Sequence, residues 1–279
     1  MLMSGTRRKT TVADRPAGRP FRIAAVGDLH YAGAESRGAL APLFETVNRE
    51  ADVFALLGDL TTHGRLEQIE AFVQELSAVQ VPMVGVLGNH DYEHGDPDAT
   101  KLLLTQAGVH ILDGDHVEID GVGFAGTKGF AGGFGRGALA PFGEQLIKEF
   151  VQHAIDEQLK LENALRALTT DVKVALLHYA PCPETVMGEP EVIFPFLGSS
   201  RLLQPLETLD VDVCFHGHAH HGTRHAVTGG GLEVYNVALP LLRADGEWVQ
   251  IWQVDVPDRR AGRNERDRAG STQSARGSA

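Results

Sequence analysis

Cysteine is nearly absent: Cys182 and Cys214 are the two thiols in 279 residues, too few for a disulfide framework and in keeping with a reducing compartment. Long apolar runs are missing too, and none approaches the roughly 18 residues of a membrane-spanning helix. The opening stretch, MLMSGTRRKTTVADRPAGRP, has basic residues but lacks the apolar centre of a secretory signal. These absences predict a cytoplasmic protein with no membrane segment. Positive charge is also scarce in the body of the chain. The net charge is −12, with +4 on residues 1–20 and +3 on 256–279, which leaves −19 on 21–255. So acidic a body repels a polyphosphate backbone, whose binding is mostly electrostatic. No basic, aromatic-studded stretch offers a stacking platform either. Both absences argue against nucleic-acid wrapping. A small phosphorylated substrate stays open, because a local metal site overrides the global field.

What the chain does have is an alternation of short apolar runs with helical periodicity. Hydrophobic residues make up 43% and charged residues 22%, ordinary for a globular domain. FRIAAVG (21–27), DVFALLG (52–58) and VPMVGVLG (81–88) are β-branched or aliphatic, and each ends in glycine. Continuous runs of this kind fit strands buried on both faces. Between them, 38–50 and 65–79 carry apolar residues at helical spacing, among them Leu66, Ile69, Phe72, Val73 and Leu76. The first third therefore reads βαβαβ, with parallel strands and right-handed crossovers. VHIL, DHVEI and GVGFAGT are brief and separated by turns, which predicts a more antiparallel region. A helix over 143–168 aligns Ile147, Val151, Ala154, Gln158, Leu161, Leu165 and Leu168 in one stripe, expected to pack on the domain rather than to form a coiled-coil seam. Strand signals return at 172–178, 211–217, 232–238 and 248–254. Two facing sheets flanked by helices accommodate the set. Both termini are polar and aperiodic, so disordered tails are expected at 1–20 and 256–279 around one domain over 21–255.

The polar residues that carry chemistry gather where the strands end. GDLH places Asp28 and His30 after the first strand, where extended residues two apart would point to one side. GDLTTHG puts Asp59 after the second, and GNHD puts Asn89, His90 and Asp91 after the third. His178 closes ALLHY, and HGHAHHG follows VDVCF with four histidines in seven positions, of which His216, His218 and His220 alternate. Crowded imidazoles repel one another when protonated, and a metal ion that favours neutral rings removes that objection. One such cluster is weak; five at carboxyl ends of apolar strands coincide with the edge where open α/β sheets bind ligands. Carboxylate, amide oxygen and imidazole without thiolate suit Mn, Fe or Zn. So many donors exceed one tetrahedral site and suit two ions sharing a carboxylate.

The ordered series GDLH, GDLTTHG, GNHD, LLHY and GHAH, spanning residues 27–220, resembles the calcineurin-like metallophosphoesterase superfamily. The resemblance implies a four-layer α/β/β/α metallophosphoesterase sandwich of two mixed sheets flanked by helices, around two divalent metal ions. It implies Asp28, His30 and His220 on one ion, Asn89, His178 and His218 on the other, and Asp59 bridging. His90 would stand beside the phosphate as the catalytic histidine, with Asp91 orienting or polarising its ring. His216 would back a ligand rather than bind an ion, and His221 would face solvent. The implied reaction is in-line attack on a small phosphomonoester or phosphodiester by a hydroxide shared between the ions. GDLTTHG and the compact size resemble bacterial cyclic-nucleotide-phosphodiesterase-like members. Thr62 stands where purple acid phosphatases use a tyrosine iron ligand, so their colour and redox tuning are not expected. The competing class is a non-catalytic scaffold that uses the metal edge to dock a partner, although such members would be expected to lose ligands kept here.

Three further features stand near these motifs. GTKGFAGGFGRG (126–137) could cradle phosphate through backbone N–H groups with Lys128 or Arg136, or could be a surface loop. Residues 178–201 form a long Pro-rich apolar loop that reads as a lid, or through Ile193, Phe194 and Phe196 as a contact in a homo-oligomer. Tyr179 could stack on a base or pack internally, and His63 could touch substrate.

Overall fold

The computed structural model describes residues 19–94 and 96–256. The tails expected at 1–20 and 256–279 lie outside the described residues except at their inner ends, where Arg19 pairs with Asp52 and Val256 packs on the core. In chain order the elements are β1 (Phe21–Val26), α1 (Ala41–Glu50), β2 (Val53–Leu57), α2 (Leu66–Leu76), β3 (Met83–Val86), α3 (Pro97–Gln106) and β4 (Val109–Ile111). Then come β5 (Asp115–Ile119), β6 (Val122–Gly126), α4 (Gln145–Arg166), β7 (Val172–Leu176), α5 (Phe194–Leu197) and α6 (Ser200–Thr208). The last are β8 (Val213–His216), β9 (His225–Val227), β10 (Glu233–Asn236), α7 (Leu239–Ala244) and β11 (Gln250–Val254).

Two mixed sheets result, in the orders β11-β1-β2-β3-β4 and β5-β6-β7-β8-β10-β9. β1 to β4 run parallel and β11 closes the first sheet antiparallel. In the second sheet β6, β7, β8 and β10 are parallel, with antiparallel edges at β5 and β9. The antiparallel region expected around VHIL–GVGFAGT shrinks to the β5–β6 hairpin, since β4 lies parallel to β3. Short turn-bounded runs look alike in sequence whether a hairpin or a helical crossover leads into them.

Alternation along the second sheet decides its two faces. Val122, Phe124, Val174, Leu176, Val213 and Phe215 face the first sheet in one core, while Ala125, Ala175, Cys214 and Val234 pack outward on α4 and α6. α1, α2 and α3 cover the first sheet through Leu43, Phe44, Val47, Ile69, Phe72, Leu76 and Leu104. That is the expected helix–sheet–sheet–helix layering. The stripe on α4 packs as expected at Val151, Ala154, Leu161 and Leu165, with Leu168 buried just past the helix end, whereas Ile147 is exposed and Gln158 bonds Gln204.

Candidate metal centre

All seven expected ligands come together at the carboxyl edges of both sheets. Asp28 and His30 follow β1, Asp59 follows β2, Asn89 follows β3, His178 follows β7, and His218 and His220 follow β8. The Gly27 N–H donates to the Val237 carbonyl at 2.9 Å and so ties the end of β1 to the second sheet. One expectation fails locally. Asp28 and His30 are not extended: their φ angles are 57° and 43°, and Asp59 at 47° and His218 at 69° are left-handed too. Each strand ends in a sharp turn that re-aims its polar side chain, and Asp and His are among the few side chains that tolerate this region. Glycines give the carboxylates room, since a Cβ at Gly88 would strike Asp59 and one at Gly217 would strike Asp28.

The donors form two groups. Asp28, His30 and His220 offer ligand atoms within 4.8 Å of one another, as do Asp59, His178 and His218. Asp28 Oδ1 lies 3.0 Å and His30 Nε2 3.4 Å from His220 Nε2. His178 Nε2 lies 2.9 Å from Asn89 Oδ1 and 3.4 Å from Asp59 Oδ1. The other oxygen of Asp59, Oδ2, lies 3.9 Å from His30 Nε2, so one carboxylate faces both groups.

Hydrogen bonds orient the rings as a metal site requires. His178 Nδ1 donates to the Leu57 carbonyl at 2.8 Å, which turns Nε2 toward Asn89 and Asp59. His218 Nε2 donates to the Phe196 carbonyl at 3.1 Å, leaving Nδ1 as the nitrogen with a lone pair to offer. A neutral His178 thus aims a lone pair at two acceptor oxygens, an arrangement that only a cation or an added proton relieves. The titration behaviour says the same. Burial opposes charge on His178, but Asp59 and Asp28 outweigh it and push the ring up to about 9. Burial works the other way on Asp59, yet the His178 ring holds that carboxyl well below the ordinary range. Burial and the nearby His178 bring His218 down to about 4. The donor set fits divalent ions of the Mn, Fe or Zn class.

His90 lies beside this centre, its ring centroid 4.9 Å from that of His30. Asp91 does not take the expected place against that ring. Its buried carboxylate accepts backbone N–H groups of Gly88 at 2.9 Å and of Leu60 and Thr61 at 3.2 Å, which ties the β2 and β3 loops together. The Nδ1 of His90 meets the Thr62 carbonyl at 2.9 Å and Glu93 Oε2 at 3.0 Å instead. A one-turn 3₁₀ helix over His90–Tyr92 turns adjacent side chains about 120° apart, which no spacing rule in the sequence reveals. His216 is buried between Gly217 O and Thr185 Oγ1, both at 2.7 Å, while His221 is exposed.

The glycine-rich loop has few free N–H groups with which to cradle phosphate. Gly129 donates to Glu157, Gly132 to Pro195 O, Gly133 to Gly198 O and Gly135 to Ser200. The loop instead clamps the 178–201 segment, which is ordered over the site through the Phe196–His218 bond. Tyr179 is buried with its ring 4.4 Å from that of His218, so it packs internally. Sequence reasoning missed Glu157 as a buried anchor of this loop, with its carboxylate also 2.8 Å from Lys160. A glutamate inside a helical stripe was the available signal.

Comparisons with known proteins agree with this architecture. The family model for calcineurin-like phosphoesterase matches residues 21–222. A curated protein of Moraxella catarrhalis, strain BBH18, described as "Probable cyclic nucleotide phosphodiesterase", is 26% identical over 104 residues. That match covers 36% of this chain and 34% of the relative, so the aligned stretch spans about a third of that protein. Among solved structures, the phosphopantetheinyl hydrolase of Mycobacterium tuberculosis superposes with a TM-score of 0.59 at 16% identity, covering 87% of this chain and 98% of that one. At that identity the likeness is one of fold.

Proposed function

The chain belongs to the calcineurin-like phosphoesterase family, and from that premise we propose that it hydrolyses small phosphoesters at a pair of divalent ions. The observation that carries the proposal is Asp59, whose Oδ1 approaches His178 at 3.4 Å and whose Oδ2 approaches His30 at 3.9 Å. Asp28, His30 and His220 would hold one ion, Asn89, His178 and His218 the other, and Asp59 both. Two such ions, when bound, supply an activated water near neutral pH and a cationic seat for phosphoryl oxygens. The side chains do the rest. Leu57 and Phe196 carbonyls fix the tautomers of His178 and His218, and Asp91 fastens the loops that carry Asp59 and Asn89. With Nδ1 of His90 committed to Thr62 and Glu93, Nε2 is the nitrogen free to meet the reacting phosphate. Protonated there, it donates a hydrogen bond to a developing oxyanion or a proton to the departing alkoxide.

The substrate is a small phosphomonoester or phosphodiester, and the Moraxella relative's description makes cyclic nucleotides the first diesters to assay. The test is turnover of p-nitrophenyl phosphate and its bis ester by Mn-loaded protein, before and after chelation, with metal counted in parallel. Chelation should abolish turnover, and Asp59→Ala should lose bound metal. Two tightly held ions and full activity in that variant would refute the assignment, and no turnover of any ester by loaded protein would favour the scaffold.

A further inference from the structure

Beside the two donor groups, a third lies further out on the same edge. Glu93, exposed on the loop after β3, is ringed by three histidines. Its carboxylate stands 3.0 Å from His90 Nδ1, 3.1 Å from His94 Nδ1 and 3.4 Å from His63 Nδ1. The ligand atoms of His63, His90 and Glu93 all fall within 4.8 Å of one another. The cluster is built from two loops that the backbone holds together. The His94 N–H donates to the His63 carbonyl at 3.2 Å. Gly64, at φ 65°, lets the loops touch, since a Cβ there would sit 2.6 Å from the Asp91 carbonyl and 2.7 Å from that of His90. The rings of His63 and His94 stand edge to face at 5.8 Å.

We propose that His63, His90, His94 and Glu93 form a third, regulatory site for a zinc-class divalent ion, which silences the enzyme by capturing His90. Two imidazoles and one carboxylate lie within mutual reach, and His94, against the same carboxylate, is the fourth donor that would complete a tetrahedral zinc site. Each Nδ1 must offer its lone pair to the ion, so any proton there moves to Nε2 or leaves. An ion on Nδ1 of His90 displaces the Thr62 carbonyl that meets that nitrogen at 2.9 Å, and the ring loses the contact that aims Nε2 at the reacting phosphate. Excess zinc therefore inhibits without displacing any ion from the main centre. The binding half of the proposal is independent of the proposed hydrolysis; the inhibitory half rests on it.

The test separates the two. Wild type, His63→Gln and Glu93→Gln are dialysed to equilibrium against graded Zn²⁺, and bound metal is counted. The weakest-held ion of wild type should bind at least roughly tenfold less tightly to either variant. The same affinity for that ion in all three would overturn the site. Cobalt titration gives a second readout, since the extra ion should add tetrahedral absorption that Glu93→Gln lacks. In parallel, hydrolysis of an alkyl phosphoester by zinc-loaded protein is followed as free Zn²⁺ rises through that last binding step. Activity should fall with its occupancy in wild type and persist in His63→Gln. A His63-dependent ion that binds without inhibition would keep the site and overturn its regulatory role.

Discussion

Asp91 is a sharp place to test whether the site is built as the structure shows, because two roles for it predict different phenotypes. Its Oδ2 accepts from Gly88 and Leu60, and its Oδ1 from the N–H of Thr61, with the Thr61 hydroxyl at 3.4 Å. The side chain is fully buried, and burial together with nearby Asp59 raises its carboxyl to about 6. Asp91→Ala strands three buried N–H groups, each costing about 1–3 kcal/mol when left unmade. Water entering the space offsets part of that, so a loss of about 3–5 kcal/mol is expected. Asp91→Asn keeps one oxygen for two of the N–H groups and turns its amide against the third. It also removes a buried charge, and the net loss should be about 1–2 kcal/mol. At roughly 2–4 °C per kcal/mol for a domain of this size, Tm should fall by about 6–20 °C in the alanine variant and by about 2–8 °C in the asparagine variant. Calorimetry on metal-free and metal-loaded protein reads both, and the loaded forms should bind metal less tightly because Asp59 and Asn89 sit on the loosened loops. If Asp91 served the His90 ring instead, Asp91→Asn would leave Tm unchanged and selectively impair esters with poor leaving groups. That outcome would refute the loop-clamp account.

Three other expectations are independent of it. His90→Asn should slow alkyl esters by roughly 10²–10⁴-fold while sparing nitrophenyl esters, whose leaving group needs no proton, and equal losses on both would assign His90 to electrostatic stabilisation. His216 is held down to about 4 by burial, although the Gly217 carbonyl and Asp28 pull upward. Its folded value lies below the ordinary 6.5, so the stability it permits is complete above that pH and drains away as pH falls toward 4, by up to about 3 kcal/mol. In His216→Gln the acid limb of a Tm–pH curve should flatten by that amount; an unchanged slope would contradict it. Burial raises the Cys182 thiol to about 11 and also holds Cys214 well above the ordinary thiol range. Neither should react with iodoacetamide at pH 8 until the chain is unfolded, as mass spectrometry of the alkylated protein would reveal.

Much of this molecule was legible because its chemistry recurs at the ends of apolar runs. FRIAAVG and DVFALLG became β1 and β2 within one residue at each end, and VPMVGVLG holds the four residues of β3 at its centre. Their hydrophobic continuity follows from burial on both faces, which leaves the polar residue after each run with one destination. The structure brings His218 beside His178 and His220 beside Asp28, the proximity that the proposed ligand set needs. What escaped was set by backbone direction. Asp91 and His90 are neighbours in sequence, and only the 3₁₀ turn sends one to the loop clamp and the other to the site. The glycines of 126–137 suggested a phosphate cradle, yet glycine also marks close backbone approach, and here the approach is to residues 195–200.

The left-handed turns at Asp28, His30, Asp59 and His218 tie these observations to energetics. A side chain held in that region costs of order 1–3 kcal/mol, so four of them amount to several kcal/mol on the order of a domain's whole net stability. The fold carries that cost because each turn is overdetermined: Asp28 N–H and His30 N–H bond Gly58 O and Asp59 O, and His218 N–H bonds the Asp28 carboxylate. The bond from His218 to Asp28 also ties the second sheet to the first. Ligand geometry and sheet docking are therefore one structure, and loosening either must loosen the other. Metal binding should accordingly raise the stability of the whole domain rather than of the loops alone, with ions that bind the folded state shifting Tm in proportion to the logarithm of their free concentration.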